Sequence, residues 1–274
     1  MSRHTKIVAT LGPASSTAEV LERMVQAGVD VVRMNFSHGT VEDHLARTTA
    51  IRAAAAKFGR TVGILGDLQG PKIRVGKFED GKISLVVGEN FILDAKCALG
   101  NQERVGLDYK DLPKDVVNGD ILLLDDGRLK LEVLGVRGHE IHTRVLVGGT
   151  LSNNKGINRQ GGGLTAPALT AKDMDDIKTA AQIGVDFVAV SFPKSAADMY
   201  MARQLLRAAG STAVLIAKIE RVEAITNLAE ILDASDGIMV ARGDLAVEVG
   251  DATVPALQKK MIRMARDRNK LTIT

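Results

Sequence analysis

The sequence has 274 residues, of which 45% are hydrophobic and 25% charged, and this composition excludes intrinsically disordered and collagen-like chains. The net charge of +3 is too small to indicate a polyanionic polymer as partner, although an anionic metabolite would fit. Aromatic residues make up 3%, which disfavours a stacking platform for single-stranded nucleic acid. The lone Cys97 excludes an internal disulfide, and no apolar run approaches the ~20 residues of a membrane span. We therefore expect a soluble cytoplasmic protein without nucleic-acid or membrane partners.

The first 70 residues alternate short apolar runs with helical patterns. Strands are predicted at 6–10, 29–34 and 62–65, and helices at 18–27 and 41–58, each helix being followed by a glycine. The strands are apolar on both faces, which is typical of a parallel sheet that is covered on both sides.

The pattern changes in the next segment, where short Val/Ile/Leu runs alternate with turn signals such as Asp125-Asp126-Gly127. This alternation predicts antiparallel β structure with tight turns, including runs at 83–87, 121–124 and 129–133. We interpret the segment as a small β domain inserted into the first domain. The predicted division of the chain is 1–72, 73–157 and 158–274.

Alternating strands and helices resume at Thr170, which begins a capping box with Asp173 and predicts a helix to Ile183. Further strands are predicted at 185–190, 213–219, 237–240 and 271–274, with a last long helix at 254–269. Without a Rossmann glycine fingerprint, this order favours an α/β (β/α)8-type TIM barrel over a doubly wound sheet. A full barrel takes eight units of roughly 30 residues. We therefore expect a barrel that is incomplete at the C-terminus, near strand seven.

Polar residues stand where each predicted strand ends, which in a barrel is the rim that carries the active site. These strand ends are residues 33–38 (RMNFSH), 66–67 (GD), 191–193 (SFP), 218–221 (KIER) and 241–244 (ARGD). A single such end is most simply solvated or ion-paired, and residues 33–38 could merely cap the next helix. Five consecutive polar ends are much less expected by chance. Lys218 and Glu220, two residues apart, share one face of a strand.

The residue types at these ends indicate a class of chemistry. Glu220 and Asp244 offer the hard oxygen ligands that suit Mg²⁺ or Mn²⁺. Arg33 and Lys218 suit a phosphorylated or carboxylated substrate. A divalent ion beside two such cations is the equipment of phosphoryl transfer.

The β segment contains two histidines that could bind a metal. His139 and His142 lie three residues apart and lack further ligands, so no metal site is expected there.

Five motifs at the predicted strands together resemble the pyruvate kinase family, in its bacterial form. They are residues 5–15 (TKIVATLGPAS), 32–39 (VRMNFSHG), 66–74 (GDLQGPKIR), 217–220 (AKIE) and 239–245 (MVARGDL). The resemblance covers the whole chain, including the β segment, which is similar to the mobile lid domain of that family.

The resemblance implies roles for individual residues. Lys218 would stabilise the enolate and the transferring phosphoryl group, and Arg33 would bind the substrate phosphate. Glu220 and Asp244 would hold the divalent ion, while Gly243 and Asp244 would contact substrate through backbone groups. The implied monovalent-cation ligands are Asn35, Ser37, Asp67 and the Leu68 carbonyl. The implied nucleotide contacts are Asn35, His38, Arg74 and Lys155.

The implied reaction is phosphoryl transfer from phosphoenolpyruvate to ADP, giving pyruvate and ATP in glycolysis. The resemblance further implies a full-length homotetramer that continues beyond Thr274, where the family has a substrate-contacting Thr segment, the last strand and a C-terminal domain. A chain ending at Thr274 is accordingly expected to have little activity alone.

Lys72 departs from the family pattern, because potassium-dependent members usually have Glu at this position. Its ammonium could supply the charge of K⁺ near Asn35, Ser37 and Asp67 when the lid closes, so an obligatory K⁺ requirement is in doubt. The alternative is that Lys72 points to solvent at the hinge.

Two other functions remain open at this point. One is a Mg²⁺-dependent lyase or aldolase that stabilises an enolate on a related barrel without a nucleotide. The other is a non-catalytic fragment that is active only in complementation.

Overall fold

Among residues 3–274, which the computed structural model describes, strands and helices alternate at both ends of the chain and strands dominate its middle. The strands are β1 (Val8–Thr10), β2 (Val31–Asn35), β3 (Gly63–Asp67), β4 (Lys82–Leu85), β5 (Asn90–Asp94), β6 (Arg104–Gly106), β7 (Ile121–Leu124), β8 (Leu129–Arg137), β9 (Glu140–Val147), β10 (Gly149–Ser152), β11 (Ile157–Arg159), β12 (Phe187–Val190), β13 (Val214–Ile219), β14 (Gly237–Val240) and β15 (Leu271–Ile273). The helices are α1 (Ala18–Ala27), α2 (Val41–Lys57), α3 (Leu112–Asp115), α4 (Ala171–Ile183), α5 (Ala196–Ala208), α6 (Val222–Thr226), α7 (Leu228–Ala234), α8 (Arg242–Val249) and α9 (Val254–Asp267).

The main sheet is parallel throughout and has the order β1-β2-β3-β12-β13-β14-β15. Strand β3 pairs directly with β12, so the polypeptide between them leaves the sheet and returns to the adjacent position. The fold is therefore α/β, with the parallel strands expected of a barrel domain.

Both faces of the main sheet are covered by buried side chains. Alternate residues of each strand point to opposite sides of the sheet. Along β13, Leu215 belongs to the large cluster of buried side chains that the helices share with the sheet, whereas Ile216 packs in a smaller cluster on the other face. Leu65 and Ala189 complete the buried part of this smaller cluster, which we call the inner face. Residues that follow Ile216 in steps of two therefore lie on the inner face at the carboxyl end of the sheet.

Local signals in the sequence set the ends of the helices. The Thr17 side chain accepts a hydrogen bond from the Val20 amide at the start of α1, and Gly28 ends this helix in the left-handed conformation, which costs glycine little. The predicted capping box of Thr170 and Asp173 begins α4. The helix predicted at 41–58 ends one residue earlier, at Lys57.

The middle of the chain forms a sheet with the order β11-β7-β8-β9-β5-β6 and a separate pair of β10 and β4. Most of these pairings are antiparallel, as expected, but β5 and β6 are parallel and α3 lies between β6 and β7. The strand predicted at 83–87 is β4, which ends at Leu85, and β8 continues beyond the predicted 129–133 to Arg137. The buried side chains of this region form their own cluster.

Among residues 3–274, no helix is both long enough and apolar enough to cross a lipid bilayer.

Replacing Leu21 by Ala is expected to lower the free energy of unfolding by about 2–5 kcal/mol, because the side chain is fully buried and its removal leaves a cavity. The matched control is Leu45→Ala on α2, where 46% of the residue is exposed and the loss should stay within about 0.5 kcal/mol. Urea unfolding of both variants measures the difference. Equal losses in the two variants would contradict this placement of the core.

Candidate active site

Three charged side chains meet at the carboxyl end of the main sheet. Arg33 on β2, Asp67 on β3 and Lys218 on β13 lie on the inner face, because each follows an apolar residue of that face by two positions. Nε of Arg33 donates to Oδ2 of Asp67 at 2.6 Å, and Nζ of Lys218 lies 3.1 Å from Oδ1 of the same carboxylate. Asp67 is buried, so these two cations offset the cost of burying its charge.

Glu220 joins this group from the residue after β13. Its Oε1 lies 3.0 Å from Nζ of Lys218, and its Oε2 accepts a hydrogen bond from the Phe192 backbone amide at 2.8 Å. Burial raises the pKa of Glu220 to about 7, with the nearby negative charge of Asp244 acting in the same direction and Lys218 opposing both. Lys218 alone therefore does not fully compensate the negative charge of the Glu220 carboxylate.

Lys218 remains a cation in this surrounding. Burial lowers its pKa, but the carboxylates of Glu220 and Asp67 more than offset that effect, and the pKa is raised overall. Its ammonium also donates to Oγ of Ser191 at 2.7 Å. A fixed, desolvated positive charge stands at this rim, where it could stabilise negative charge that develops on a substrate.

The residues after β12 contact this group, although the sequence indicates no role for them. Phe192 has a φ of 56°, a left-handed conformation that costs a bulky residue about 1–3 kcal/mol. Gly70 packs against this turn so closely that a Cβ at residue 70 would lie 2.7 Å from the Cβ of Ser191. The sequence places Ser191 and Phe192 directly after a buried strand, which was the available signal. It does not reveal the backbone geometry of this turn.

Asp244 lies on the first turn of α8, beside Gly243, and its ion pair corrects the expectation for Lys72. Nζ of Lys72 lies 3.0 Å from Oδ1 of Asp244 and 3.8 Å from Asp126. The ammonium therefore lies neither beside Asp67 nor in solvent, the two positions that the sequence suggests. Asp126, interpreted from sequence only as part of a turn, instead brings the β segment to this group.

A cavity of about 870 Å³ lies beside the charged group, between the β segment and α8. Lys72, Gly243 and Asp244 line it, together with Asp126 and Lys130. Lys218 and Glu220 do not, since both are nearly enclosed by protein. The cavity thus gives access to Asp244 from the side of the β segment.

The residues expected to bind a monovalent cation lie near one another at the ends of β2 and β3. Asn35 pairs in register with Asp67, and its Oδ1 accepts a hydrogen bond from the Ser37 amide at 3.0 Å. The Leu68 carbonyl already accepts the Ser191 hydroxyl at 2.6 Å. His38 follows in an exposed position.

Two of the expected nucleotide contacts pair with residues of the β segment. Arg74 donates to the Asn154 carbonyl at 3.0 Å and lines a smaller cavity of about 310 Å³. Lys155 lies 2.7 Å from Asp125, next to the turn that carries Asp126.

The expectation that His139 and His142 have no further ligands nearby is wrong. Asp94 and Glu140 lie within reach of His139, so that three ligand atoms are close together. Arg104 already donates to both carboxylates, at 3.0 and 2.9 Å, and the cluster is thus an ion-pair network of the β segment.

The fold and the site define an α/β protein with a parallel sheet and a buried, charged centre at the carboxyl ends of its strands. The family model of the pyruvate kinase barrel domain matches residues 2–274. The chain is 58% identical over 277 residues to pyruvate kinase of Haemophilus influenzae and 57% identical over 277 residues to pyruvate kinase II of Salmonella typhimurium, covering 99% of this chain in both cases. It is 45% identical over 273 residues to pyruvate kinase of Mycobacterium tuberculosis, covering 100% of this chain.

The chain belongs to the pyruvate kinase family. It spans 58% of the length of each of these three relatives.

Proposed function

We propose that the protein transfers a phosphoryl group from phosphoenolpyruvate to ADP, giving pyruvate and ATP in glycolysis. The observation that carries this proposal is the buried centre of Arg33, Asp67, Lys218 and Glu220 in a chain of this family. Phosphoryl transfer depends mainly on positioning and on neutralising charge, and this centre provides fixed charges for both. The reaction would take place in the cytoplasm, in a full-length homotetramer.

The proposed role of Lys218 is to meet the negative charge that develops on the enolate and on the phosphoryl group in transit. Arg33 would bind the substrate phosphate, with its guanidinium kept in place by Asp67. The backbone amides of Gly243 and Asp244 lie at the start of α8, where unpaired N–H groups favour an anionic group. His38, Arg74, Lys155 and Asn35 are proposed as nucleotide contacts.

Glu220 and Asp244 fit a divalent cation, Mg²⁺ or Mn²⁺. Burial and the charge of Asp244 raise the pKa of Glu220, and a cation shared by both carboxylates would relieve that excess of negative charge. The bound ion would neutralise charge on the phosphoryl oxygens. Lys72 now occupies one oxygen of Asp244 and would have to yield it.

For the fold, we propose that the seven parallel strands belong to a (β/α)8 barrel and that residues 73–157 are a lid inserted between 1–72 and 158–274. The ion pair between Lys72 and Asp126 supports contact between this segment and the rim.

The direct test is pyruvate formation from phosphoenolpyruvate by the full-length protein, with and without ADP. We expect pyruvate and ATP in equal amounts, and only when ADP is present. Failure of ADP to support pyruvate and ATP formation would contradict the proposal and favour the enolate-forming lyase, which needs no nucleotide.

We further propose that the protein does not require K⁺, although Asn35, Ser37, Asp67 and Leu68 resemble a monovalent site. Lys72 brings a positive charge to the neighbourhood of Asp244 and Asp126, and Arg33 and Lys218 already neutralise Asp67. Wild-type turnover should therefore be the same in tetramethylammonium as in K⁺. In Lys72→Glu, a third carboxylate beside Asp244 and Asp126 should make turnover depend on added K⁺.

Steady-state rates of both proteins in each cation salt, at constant ionic strength, provide the comparison. Lys130→Glu, which makes the same charge change at another residue that lines the cavity, is the matched control and should stay K⁺-independent. A large activation of the wild type by K⁺ would refute the proposal.

A further inference from the structure

Ser191 lies between two groups of the candidate active site. Its Oγ is 2.7 Å from Nζ of Lys218 and 2.6 Å from the carbonyl oxygen of Leu68, and the residue is 1% exposed. Water therefore has little access to replace either hydrogen bond.

The direction of both hydrogen bonds follows from the chemistry of the three groups. An ammonium group can only donate, so Ser191 Oγ must accept from Lys218. Its single hydroxyl proton is then left for the Leu68 carbonyl, which can only accept. The hydroxyl dipole thus points its oxygen at the ammonium, and the Leu68 backbone fixes that direction.

The backbone around Ser191 leaves this hydroxyl little freedom. Phe192 holds a positive φ and donates its amide to Glu220, so the same turn that carries the hydroxyl also binds the second partner of Lys218. On the other side, Gly70 approaches Ser191 more closely than any side chain would allow.

We propose that Ser191 is a positioning residue, which holds the Lys218 ammonium at a fixed position relative to the Leu68 backbone. Asp67 and Glu220 supply Lys218 with charge, whereas Ser191 supplies a neutral acceptor in a fixed direction. Without it, the ammonium could shift between the two carboxylates. The kinetic part of this inference rests on the proposed kinase activity, but the position of Lys218 does not.

The first measurement is the reactivity of Lys218 toward trinitrobenzenesulfonate, followed by mass spectrometry of the peptide that contains it. Lys218 should react slowly in the wild type and at least about threefold faster in Ser191→Ala, because the ammonium loses one of its three acceptors. Ser191→Thr keeps a hydroxyl and should restore the slow rate. Ser235→Ala is the matched control, since Ser235 is also buried and donates to a backbone carbonyl at 2.7 Å, but lies outside this centre.

The second measurement is turnover. We expect kcat of Ser191→Ala to fall by about 10- to 100-fold, the usual effect of losing a partner that orients a functional group, while KM for phosphoenolpyruvate changes less than about threefold. If Ser191→Ala does not fold, Ser191→Cys keeps the volume with a weaker acceptor and should show a smaller change of the same sign.

The positioning role would be overturned if Lys218 reactivity and kcat in Ser191→Ala equalled those of the wild type. Equal changes in Ser235→Ala would overturn it as well. A full-length wild-type protein that makes no pyruvate would refute the proposed function, and the reactivity of Lys218 would still decide the role of Ser191.

Discussion

In the full-length protein, Lys218→Met is expected to reduce turnover by about 10²–10³, the usual loss when one preorganised group that stabilises transition-state charge is removed. Binding of phosphoenolpyruvate should stay nearly unchanged, because Arg33 and the amides at the start of α8 remain in place. Steady-state kinetics, together with a binding titration of phosphoenolpyruvate, separates these two effects.

The matched control for this prediction is Lys178→Met, which removes an exposed ammonium from α4. It should leave turnover unchanged. Near-normal turnover of Lys218→Met would eliminate the proposed role of this residue.

Glu220→Gln and Asp244→Asn should each weaken Mn²⁺ binding by at least about 100-fold, since even residues that only orient metal ligands cost 10–100-fold when they are changed. Water-proton relaxation during a Mn²⁺ titration measures this affinity without any catalytic turnover. Asp94→Asn, which changes a buried carboxylate in the β segment, should bind Mn²⁺ like the wild type.

The pH dependence of Mn²⁺ binding gives a second measurement on the same site. Metal binding needs the carboxylate form of Glu220, and its pKa is raised to about 7 in the metal-free protein. Below pH 7 the carboxyl group must lose a proton to bind the ion, so the apparent affinity should fall by up to about tenfold for each pH unit. Unchanged Mn²⁺ affinity in both Glu220→Gln and Asp244→Asn would contradict the assignment.

The sequence was most informative where local signals agree with the final packing. Strand β14 has the predicted bounds, Gly237 to Val240, because a short apolar run between two turns has few alternatives. The period of two along β13 correctly placed Lys218 and Glu220 together. In the β segment, the parallel pairing of β5 with β6 was missed, since it depends on long-range register rather than on a turn signal.

The candidate site was predictable in its residue types but not in its pairing. Long side chains such as Lys72 reach several partners, and only the tertiary structure selects Asp244 over Asp67. The contribution of Phe192 comes from a backbone amide and a positive φ, neither of which its side chain reveals. Sequence patterns thus identify which types of side chain a site contains more readily than which of them contact one another.

The separate hydrophobic clusters of the main sheet and of the β segment have a consequence for local opening. Each cluster is buried by its own side chains, so either one can lose its packing without exposing the other. Cooperative units of this kind open with their own free energies, and amide hydrogens report each of them. Hydrogen–deuterium exchange under native conditions should therefore divide the slowly exchanging amides into two classes, one carried by strands such as β13 and the other by β8 and β9.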